Sequence, residues 1–137
     1  MKTGKQHFDD TNLRGEVKKQ TPRGLMYISS PKEILEVIKT ISKGKVLTVK
    51  QIADILTKKH QVDYTCALTS GIFVSIIANY VEQENIKDVP YWRVVKDKGI
   101  LYDHYFRLPS NQAKKLVTEG WTIHKKGSKQ IPHLKLD

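Results

Sequence analysis

Two adjacent aromatic residues, Tyr91 and Trp92, are the most chemically suggestive feature of this 137-residue sequence. They follow Pro90 and precede Arg93 in the segment Asp88-Val-Pro-Tyr-Trp-Arg-Val-Val95. Flat side chains can form a surface on which a nucleic-acid base or another flat ligand stacks, an interaction worth about 1 to 3 kcal/mol per base. The same two rings can instead fill a protein core. The sequence alone leaves both interpretations open.

Neither aromatic residue suits nucleophilic or proton-relay chemistry. The phenol of Tyr91 has a reference pKa of about 10, so it is a poorer nucleophile than a thiolate. The indole nitrogen of Trp92 only donates hydrogen bonds. Cys66 is the only cysteine, which excludes a disulfide within the chain and agrees with a reducing compartment. We expect Cys66 to be a small buried or half-buried thiol.

The histidines form no recognisable metal site. They are scattered without a paired helical spacing and without a neighbouring Cys-x-x-Cys pair, which are the patterns typical of zinc ligands. The five are His7, His60, His104, His124 and His133. We therefore predict neither a metal ion nor a cofactor.

The charge of the sequence favours a polyanionic partner. Twenty-four Lys and Arg residues against fourteen Asp and Glu residues give a formal net charge of +10, which attracts phosphate backbones irrespective of base sequence. We predict duplex DNA as the partner, although the same charge can serve solubility alone. A membrane surface is disfavoured because no predicted helix pairs a basic face with a large aromatic face. No apolar run approaches the roughly 20 residues of a membrane span, and we expect a cytoplasmic protein.

The length of the chain fits one domain. We place that domain at residues 31–123. Residues 1–30 carry an excess of basic side chains and are interrupted by glycines such as Gly4 and Gly15, which predicts a loosely ordered basic arm. Residues 124–137 are predicted to form a basic tail.

Two capping patterns predict the first helices of the domain. Ser30, followed by Pro31 and Glu33, has the arrangement of a capping box. Thr48 is a natural cap for a helix over residues 49–56. This second helix would begin a helix-turn-helix, with a polar connection leading to a third and longer helix.

The longer helix is predicted over residues 69–84. Its apolar side chains have helical spacing and form one face, which we expect to be buried; they are Ile72, Phe73, Ile76, Ile77, Tyr80 and Val81. The opposite face is polar and contains Ser70, Ser75, Asn79 and Glu82.

The remaining elements predict a wing and a closing helix. Residues 92–95 alternate like a strand, residues 96–99 form a turn and residues 100–102 return as a second strand, so together they predict a β-hairpin. Ser110 is predicted to cap a last helix that ends before Gly120, with a short strand at residues 121–123.

The order of these motifs resembles the DNA-binding domain of the DNA alkyltransferases, the methylated-DNA-protein-cysteine methyltransferases, and of their cysteine-free relatives, the alkyltransferase-like proteins. The resemblance covers about residues 31 to 121. It implies a mostly α fold with a small β-hairpin, a winged helix-turn-helix domain of the alkyltransferase type. The matching motifs are Gly44-Lys45-Val46 with Gln51-Ile52-Ala53, Pro90-x-x-Arg93-Val94-Val95 with Gly99, and Gln112, Leu116, Glu119 and Gly120.

The departures from this family decide the expected chemistry. The family's reactive loop reads Pro-Cys-His-Arg-Val, so Tyr91 stands where the acceptor cysteine would be and Trp92 where the histidine would be. The resemblance implies that Glu119 survives from the catalytic network and that Arg93 mainly ties the loop together. Without the thiolate we expect no alkyl transfer, and the protein is predicted not to be an enzyme.

Two features that alkyltransferase-like proteins use on DNA are also missing. One is a finger arginine at the start of the longer helix, where this sequence has Thr69, Ser70 and Gly71. The other is a tyrosine that turns the phosphate of the flipped nucleotide, where this sequence has Val49.

Two sets of candidate site residues follow. The predicted base or ligand pocket consists of Pro90, Tyr91, Trp92, Arg93 and Glu119. The predicted DNA contacts are Lys45, Lys50, Lys58, Lys59, Ser70, Ser75, Asn79, Lys96 and Lys98. The leading hypothesis is non-enzymatic, largely sequence-independent binding of duplex DNA, linked to DNA repair or its regulation. The alternative is a winged-helix scaffold reused to bind proteins or small ligands.

Overall fold

The computed structural model of the protein describes residues 3–102 and 109–136, with the side chains of residues 109–111 excepted. Its helices in this described part are α1 (Gly4–Leu13), α2 (Pro31–Ile38), α3 (Val49–His60), α4 (Ala67–Gln83) and α5 (Pro109–Thr118). Its strands are β1 (Val17–Thr21), β2 (Gly24–Ile28), β3 (Leu47–Thr48), β4 (Tyr64–Thr65), β5 (Val94–Val95), β6 (His124–Lys126) and β7 (Ile131–His133). The fold is mostly α, as the sequence predicts. No helix in these ranges is long and apolar enough to cross a membrane.

Local sequence explains where α2 and α3 begin. The Ser30 hydroxyl accepts a hydrogen bond from the Glu33 N–H at 3.3 Å, and Pro31 occupies the first helical position. The Thr48 hydroxyl accepts from the Gln51 N–H at 3.1 Å, while the Gln51 side chain accepts from the Thr48 N–H at 2.8 Å. These bonds satisfy N–H groups that the start of a helix leaves unpaired. Both predicted helix starts are confirmed.

The long helix α4 lies at the centre of the core. It contacts α1, α2 and α3, so it is covered on several sides. The predicted apolar face is therefore wrong in part: Ile72 is 52% exposed, whereas Val74 and Ala78 are fully buried. A pattern with one buried face describes a helix on the surface of a core, not one surrounded by other helices.

The predicted wing hairpin is wrong in its pairing. Residues 91–93 form a 3-10 turn, and β5 then pairs in parallel with β3, with Val94 opposite Leu47. The turn after β5 is closed by the Lys96 N–H, which donates to the Ile100 carbonyl at 2.8 Å. Residues 100 and 101 pair with the C-terminal segment and not with β5. The β-hairpins of the described part lie instead at β1–β2 and β6–β7.

Residues 4–28 form an ordered helix and hairpin in place of the predicted loosely ordered arm. The ring of Phe8, which is 8% exposed, stacks on Tyr80 of α4 with a centroid distance of 4.4 Å. Gly4 brings the helices into close approach, because a Cβ at this position would lie 2.8 Å from the Asn79 backbone. α1 carries no apolar periodicity that would predict a helix, because Phe8 is its one buried large apolar side chain.

The basic C-terminal segment also packs onto the domain. β6 and β7 pair antiparallel, with His124 opposite His133, and the predicted strand at residues 121–123 is not formed. Leu134 is fully buried in a second core cluster that includes Val95 and Leu116. The prediction that Ser110 caps α5 concerns a side chain outside the described ones.

Gly99 joins this C-terminal segment to the turn after β5. Its φ is +80°, and a Cβ built on it would lie 2.2 Å from the Leu134 carbonyl oxygen. We expect Gly99→Ala to lower the free energy of unfolding by about 1 to 3 kcal/mol, since the backbone of residue 134 must move. Urea unfolding followed by circular dichroism measures this. Gly15→Ala is the matched control, because Gly15 has a φ of +70° with nothing within 4 Å of the added atom; equal losses would assign the whole effect to backbone conformation.

Candidate nucleic-acid interface

An open groove of about 700 Å³ lies where the N-terminal ends of α3 and α4 face the turn at residues 96–100. Its position follows from the parallel pairing of β3 with β5, which places the start of α3 beside the turn that follows β5. The lining residues are Val49, Lys50, Ala67, Leu68, Gly71, Ile72, Ser75, Lys96, Asp97, Lys98, Ile100 and Tyr102.

The charge of the groove is positive. Lys50, Lys96 and Lys98 contribute three cations, and Asp97 is the one acidic residue among the residues that line it. Lys50 also pairs with Asp54 at 3.2 Å, but both side chains are more than 60% exposed. Exposed ion pairs of this kind contribute only about 0 to 1 kcal/mol, so Lys50 is available to an anionic ligand.

The start of α4 adds to the positive potential. Cys66 is the N-cap residue of α4, and its side chain makes no capping hydrogen bond to the backbone. The N-terminal end of a helix carries a partial positive charge that favours phosphate. Cys66 is half-buried, as the sequence predicts, with its sulfur 3.1 Å from the Thr69 hydroxyl.

Tyr91 lies in the core and does not line the groove. It is 1% exposed, and its hydroxyl donates a hydrogen bond to the Glu82 carboxylate at 2.5 Å. Burial, and then this carboxylate, raise the pKa of Tyr91 well above its usual value, so the phenol stays protonated. Of the two interpretations of Tyr91, core filling describes its packing.

Trp92 is half-buried and bridges the two core clusters. Its ring meets that of Tyr91 edge-on, with the centroids 5.5 Å apart. The Lys115 ammonium lies 4.5 Å from the Trp92 ring centre and the Arg93 guanidinium 5.6 Å from it. Such contacts stabilise by about 0.5 to 2 kcal/mol. The ring is held between protein groups and, like Tyr91, is not among the residues that line the groove.

Arg93 ties the segment before β5 to the residues that follow the ends of α2 and α5. Its guanidinium donates to both oxygens of Glu119, with the shortest contact at 2.5 Å, and to the Ile41 carbonyl at 2.7 Å. The Arg93 and Glu119 side chains are only 14% and 7% exposed. Burial acts to raise the pKa of Glu119, but the hydrogen bonds from Arg93 and its positive charge outweigh that effect, and the pKa lies below its ordinary value.

A buried amide fixes the same segment from α5. Gln112 is fully buried, and its carboxamide oxygen accepts from the Tyr102 N–H at 2.9 Å. Its nitrogen donates to the Val94 carbonyl at 2.7 Å and to the Trp92 carbonyl at 3.1 Å. Because these three partners are backbone groups, Gln112 fixes the path of the backbone irrespective of the side chains that it carries.

We compared the chain with known proteins to find solved structures that share its architecture. No protein-family model and no curated protein sequence matches the chain. A crystal structure of S. pombe Atl1 in complex with damaged DNA containing O6-carboxymethylguanine matches with a TM-score of 0.57 and 20% identity, over 77% of this chain and 88% of that chain. A crystal structure of S. pombe ATL in complex with DNA matches with a TM-score of 0.56 and 20% identity, over 78% of this chain and 87% of that chain. The chain has the fold of Atl1.

The match to Atl1, an alkyltransferase-like protein, confirms the fold class and the structural resemblance predicted from the sequence. The match covers more than the predicted range of about residues 31 to 121, because 77% of the 137 residues is a longer stretch.

The residues predicted to contact DNA divide into a set that lines the groove and a set that does not. Lys50, Ser75, Lys96 and Lys98 line it.

Of the remaining predicted contacts, Ser70 needs correction and Asn79 lies away from the groove. Ser70 is 1% exposed, and its hydroxyl donates to the Cys66 carbonyl at 2.9 Å, so it stabilises the first turn of α4 and has no surface for a phosphate. Asn79 lies further along α4, where its side chain accepts from Gln83 at 3.2 Å and its backbone faces Gly4 of α1. Neither side chain reaches the groove.

The other lysines lie apart from the groove. Lys59 donates a hydrogen bond to the Glu33 carboxylate at 3.1 Å. The same carboxylate accepts a hydrogen bond from the Tyr27 hydroxyl at 2.5 Å and lies 2.6 Å from the His60 ring nitrogen. Glu33 therefore binds these side chains and does not complete the predicted capping box. The two others, Lys45 and Lys58, are exposed and are absent from the residues that line the groove.

Sequence reasoning missed the apolar part of the groove. Leu68 is 77% exposed and Ile72 is 52% exposed, although both belong to α4. Tyr102 forms a further wall, with the Lys96 ammonium 5.3 Å from its ring centre. The sequence does indicate that Leu68 and Ile72 share one face of a helix, because they are four positions apart. Nothing local in the sequence shows that this face is uncovered.

Proposed function

We propose that this protein binds duplex DNA through the groove between α3, α4 and the turn at residues 96–100, as a non-enzymatic protein of the alkyltransferase-like type. The observation that carries the proposal is the set of three lysines around an apolar floor at the uncapped start of α4. Cations beside a helix N-terminus suit the phosphate backbone, which supplies most of the affinity in sequence-independent binding. The likeness of the fold to Atl1, crystallised with damaged DNA, supports the same partner.

The chemistry of the site supports binding without alkyl transfer. No cysteine is among the groove-lining residues, and the one at residue 66 lies outside them. By the sequence motif Tyr91 stands at the position of the acceptor cysteine of the alkyltransferases, and its burial and its hydrogen bond to Glu82 raise its pKa, which disfavours the phenolate that a nucleophile would need. Glu119 is bound to Arg93, so its carboxylate is not free to assist a nucleophile.

The proposal predicts binding that depends strongly on salt. We expect the double variant Lys50→Ala/Lys96→Ala to bind a plain duplex about 10- to 100-fold more weakly at about 0.1 M salt. The slope of log affinity against log salt should also fall by about 1.8, since each lost phosphate contact removes about 0.9. Fluorescence anisotropy with a labelled duplex at several salt concentrations measures both quantities.

The matched control is Lys5→Ala/Lys87→Ala, which removes the same charge at the other end of α4. Lys87 follows the C-terminal end of that helix, which has 17 residues and is about 25 Å long. Lys5 lies near the same end, because it belongs to α1, whose first residue Gly4 donates a hydrogen bond to the Gln83 side chain. This control should retain the slope of the wild type. Negligible binding by the wild type at low salt, or equal losses in the two double variants, would contradict the proposed interface.

A link to DNA repair requires that damaged DNA be distinguished from plain DNA. Duplexes with and without one O6-alkylated guanine, compared in the same anisotropy titration, test this part of the proposal. Tighter binding of the alkylated duplex supports a role in damage recognition. Equal affinity removes the repair link and leaves duplex binding in place.

A further inference from the structure

Leu68 is exposed in a way that core packing does not explain. It belongs to the first turn of α4 and is 77% exposed, and among the large apolar side chains of the described residues only Leu13 is more exposed. Ile72, one turn further along and 52% exposed, lies on the same face of the helix. The two side chains form an apolar ridge that no other part of the described protein covers.

The ridge separates two depressions. On one side lies the groove described above, and on the other lies a second depression of about 470 Å³; Lys50, Ala67 and Leu68 line both. Arg23 belongs to the second depression, with its guanidinium 4.5 Å from the ring centre of the neighbouring Tyr64. The second depression also contains Asp54 and Asp63, so the crest has cations on both flanks but a net positive charge only on the side of the groove.

This arrangement fits one kind of ligand in particular. A DNA duplex presents an apolar stack of bases between two phosphate backbones, so a narrow apolar crest between cations matches a groove of the duplex. Proteins that bend DNA commonly insert an apolar side chain, leucine among them, between two base pairs, and hold the phosphates on either side with basic residues.

The first turn of α4 is rigid enough to serve as a wedge. The Ser70 hydroxyl donates to the Cys66 carbonyl at 2.9 Å, and the Ser70 N–H donates to the same carbonyl at 3.1 Å. Phe73 and Val74 anchor the next turn in the core, at 8% and 0% exposure. Since the backbone beneath Leu68 is fixed before binding, little further ordering is needed when a ligand meets it.

We propose that Leu68 is an intercalating wedge, which inserts between adjacent base pairs and locally unwinds the duplex while Lys50, Lys96 and Arg23 hold the flanking phosphates. The inference rests on the proposed DNA-binding function and deepens it. In this inference the uncharged Leu68 side chain distorts the DNA duplex, and the lysines provide the affinity for the DNA backbone.

The test separates binding from distortion. Closed circular plasmid is relaxed by a topoisomerase in the presence of saturating protein, the protein is removed, and the remaining supercoils report how far the protein unwound the DNA. Anisotropy with a short duplex measures affinity in parallel. The wild type should leave supercoils, whereas Leu68→Ala should leave none at equal occupancy and should bind about 10-fold more weakly, with an unchanged salt slope.

Leu13→Ala is the control, because Leu13 is an equally apolar side chain, 85% exposed, at the end of α1. It should behave as the wild type in both assays. Equal unwinding by Leu68→Ala and the wild type overturns the wedge while DNA binding stands. Absence of salt-dependent binding by the wild type overturns the proposed function and the wedge together. Both variants should keep the wild-type melting temperature, since both positions are exposed.

Discussion

Glu119→Gln is expected to lower the free energy of unfolding by about 3 to 5 kcal/mol, the loss typical of a buried ion pair deprived of one partner. The Arg93 guanidinium is 14% exposed and depends on Glu119 for compensation of its charge. Glutamine keeps the shape of the side chain but leaves a buried cation without its anion. Urea unfolding at neutral pH, followed by circular dichroism, measures the change.

Two further variants identify the cause of this loss. Glu36→Gln makes the same replacement at an exposed position of α2, where we expect a change within about 0.5 kcal/mol. The double variant Arg93→Met/Glu119→Leu removes both charges and should regain part of the stability lost in Glu119→Gln. If the double variant is less stable than the single one by a further few kcal/mol, the hydrogen bond from Arg93 to Ile41 dominates and the charge does not.

The same pair gives the protein a component of acid sensitivity. Because the pKa of Glu119 lies below its unfolded value, its stabilisation is fully present above the usual carboxyl range of about 4.3 and is lost as the pH falls through the lowered value. The wild type should therefore lose more stability than Glu119→Gln between about pH 5 and pH 2. Equal losses in the two proteins would mean that other carboxylates, such as Glu33, account for the acid response.

Sequence reasoning succeeded where the structural cause is local. The starts of α2 and α3 follow from hydrogen bonds between residues three positions apart, so Ser30 and Thr48 were recognisable without knowledge of the fold. The structural role of Arg93 followed from the motif around it. The exposure of Lys50, Lys96 and Lys98 was also predictable, since lysines are rarely buried without partners.

Prediction from the sequence failed where a structural feature depends on residues that are distant along the chain. β5 pairs with β3, and the paired residues Val94 and Leu47 are 47 positions apart in the sequence. Nothing in the local alternation of residues 92–95 distinguishes pairing with β3 from pairing within a hairpin. α4 is apolar on most of its surface, so its periodicity could not tell Ile72, which is exposed, from Val74, which is buried. The uncovered ridge of the candidate site is therefore a property of tertiary packing.

The buried position of Tyr91 has the second large consequence. Tyr91→Ala is expected to lower the free energy of unfolding by about 3 to 5 kcal/mol, because it removes a fully buried ring and leaves a cavity in the core cluster. Tyr91→Phe should cost only about 1 to 3 kcal/mol, since the ring remains and the Glu82 carboxylate loses its donor. Urea unfolding of the three proteins measures both changes.

The Phe variant also separates core filling from ligand binding. Since Tyr91 does not line the groove, Tyr91→Phe should bind duplex DNA with the affinity and salt slope of the wild type at temperatures where it is folded. Loss of binding with the stability retained would show that the phenol touches a ligand, and the aromatic pair would then be a binding surface. Retained binding together with the stability loss in Tyr91→Ala would show that the Tyr91 ring serves the core and does not contact a ligand.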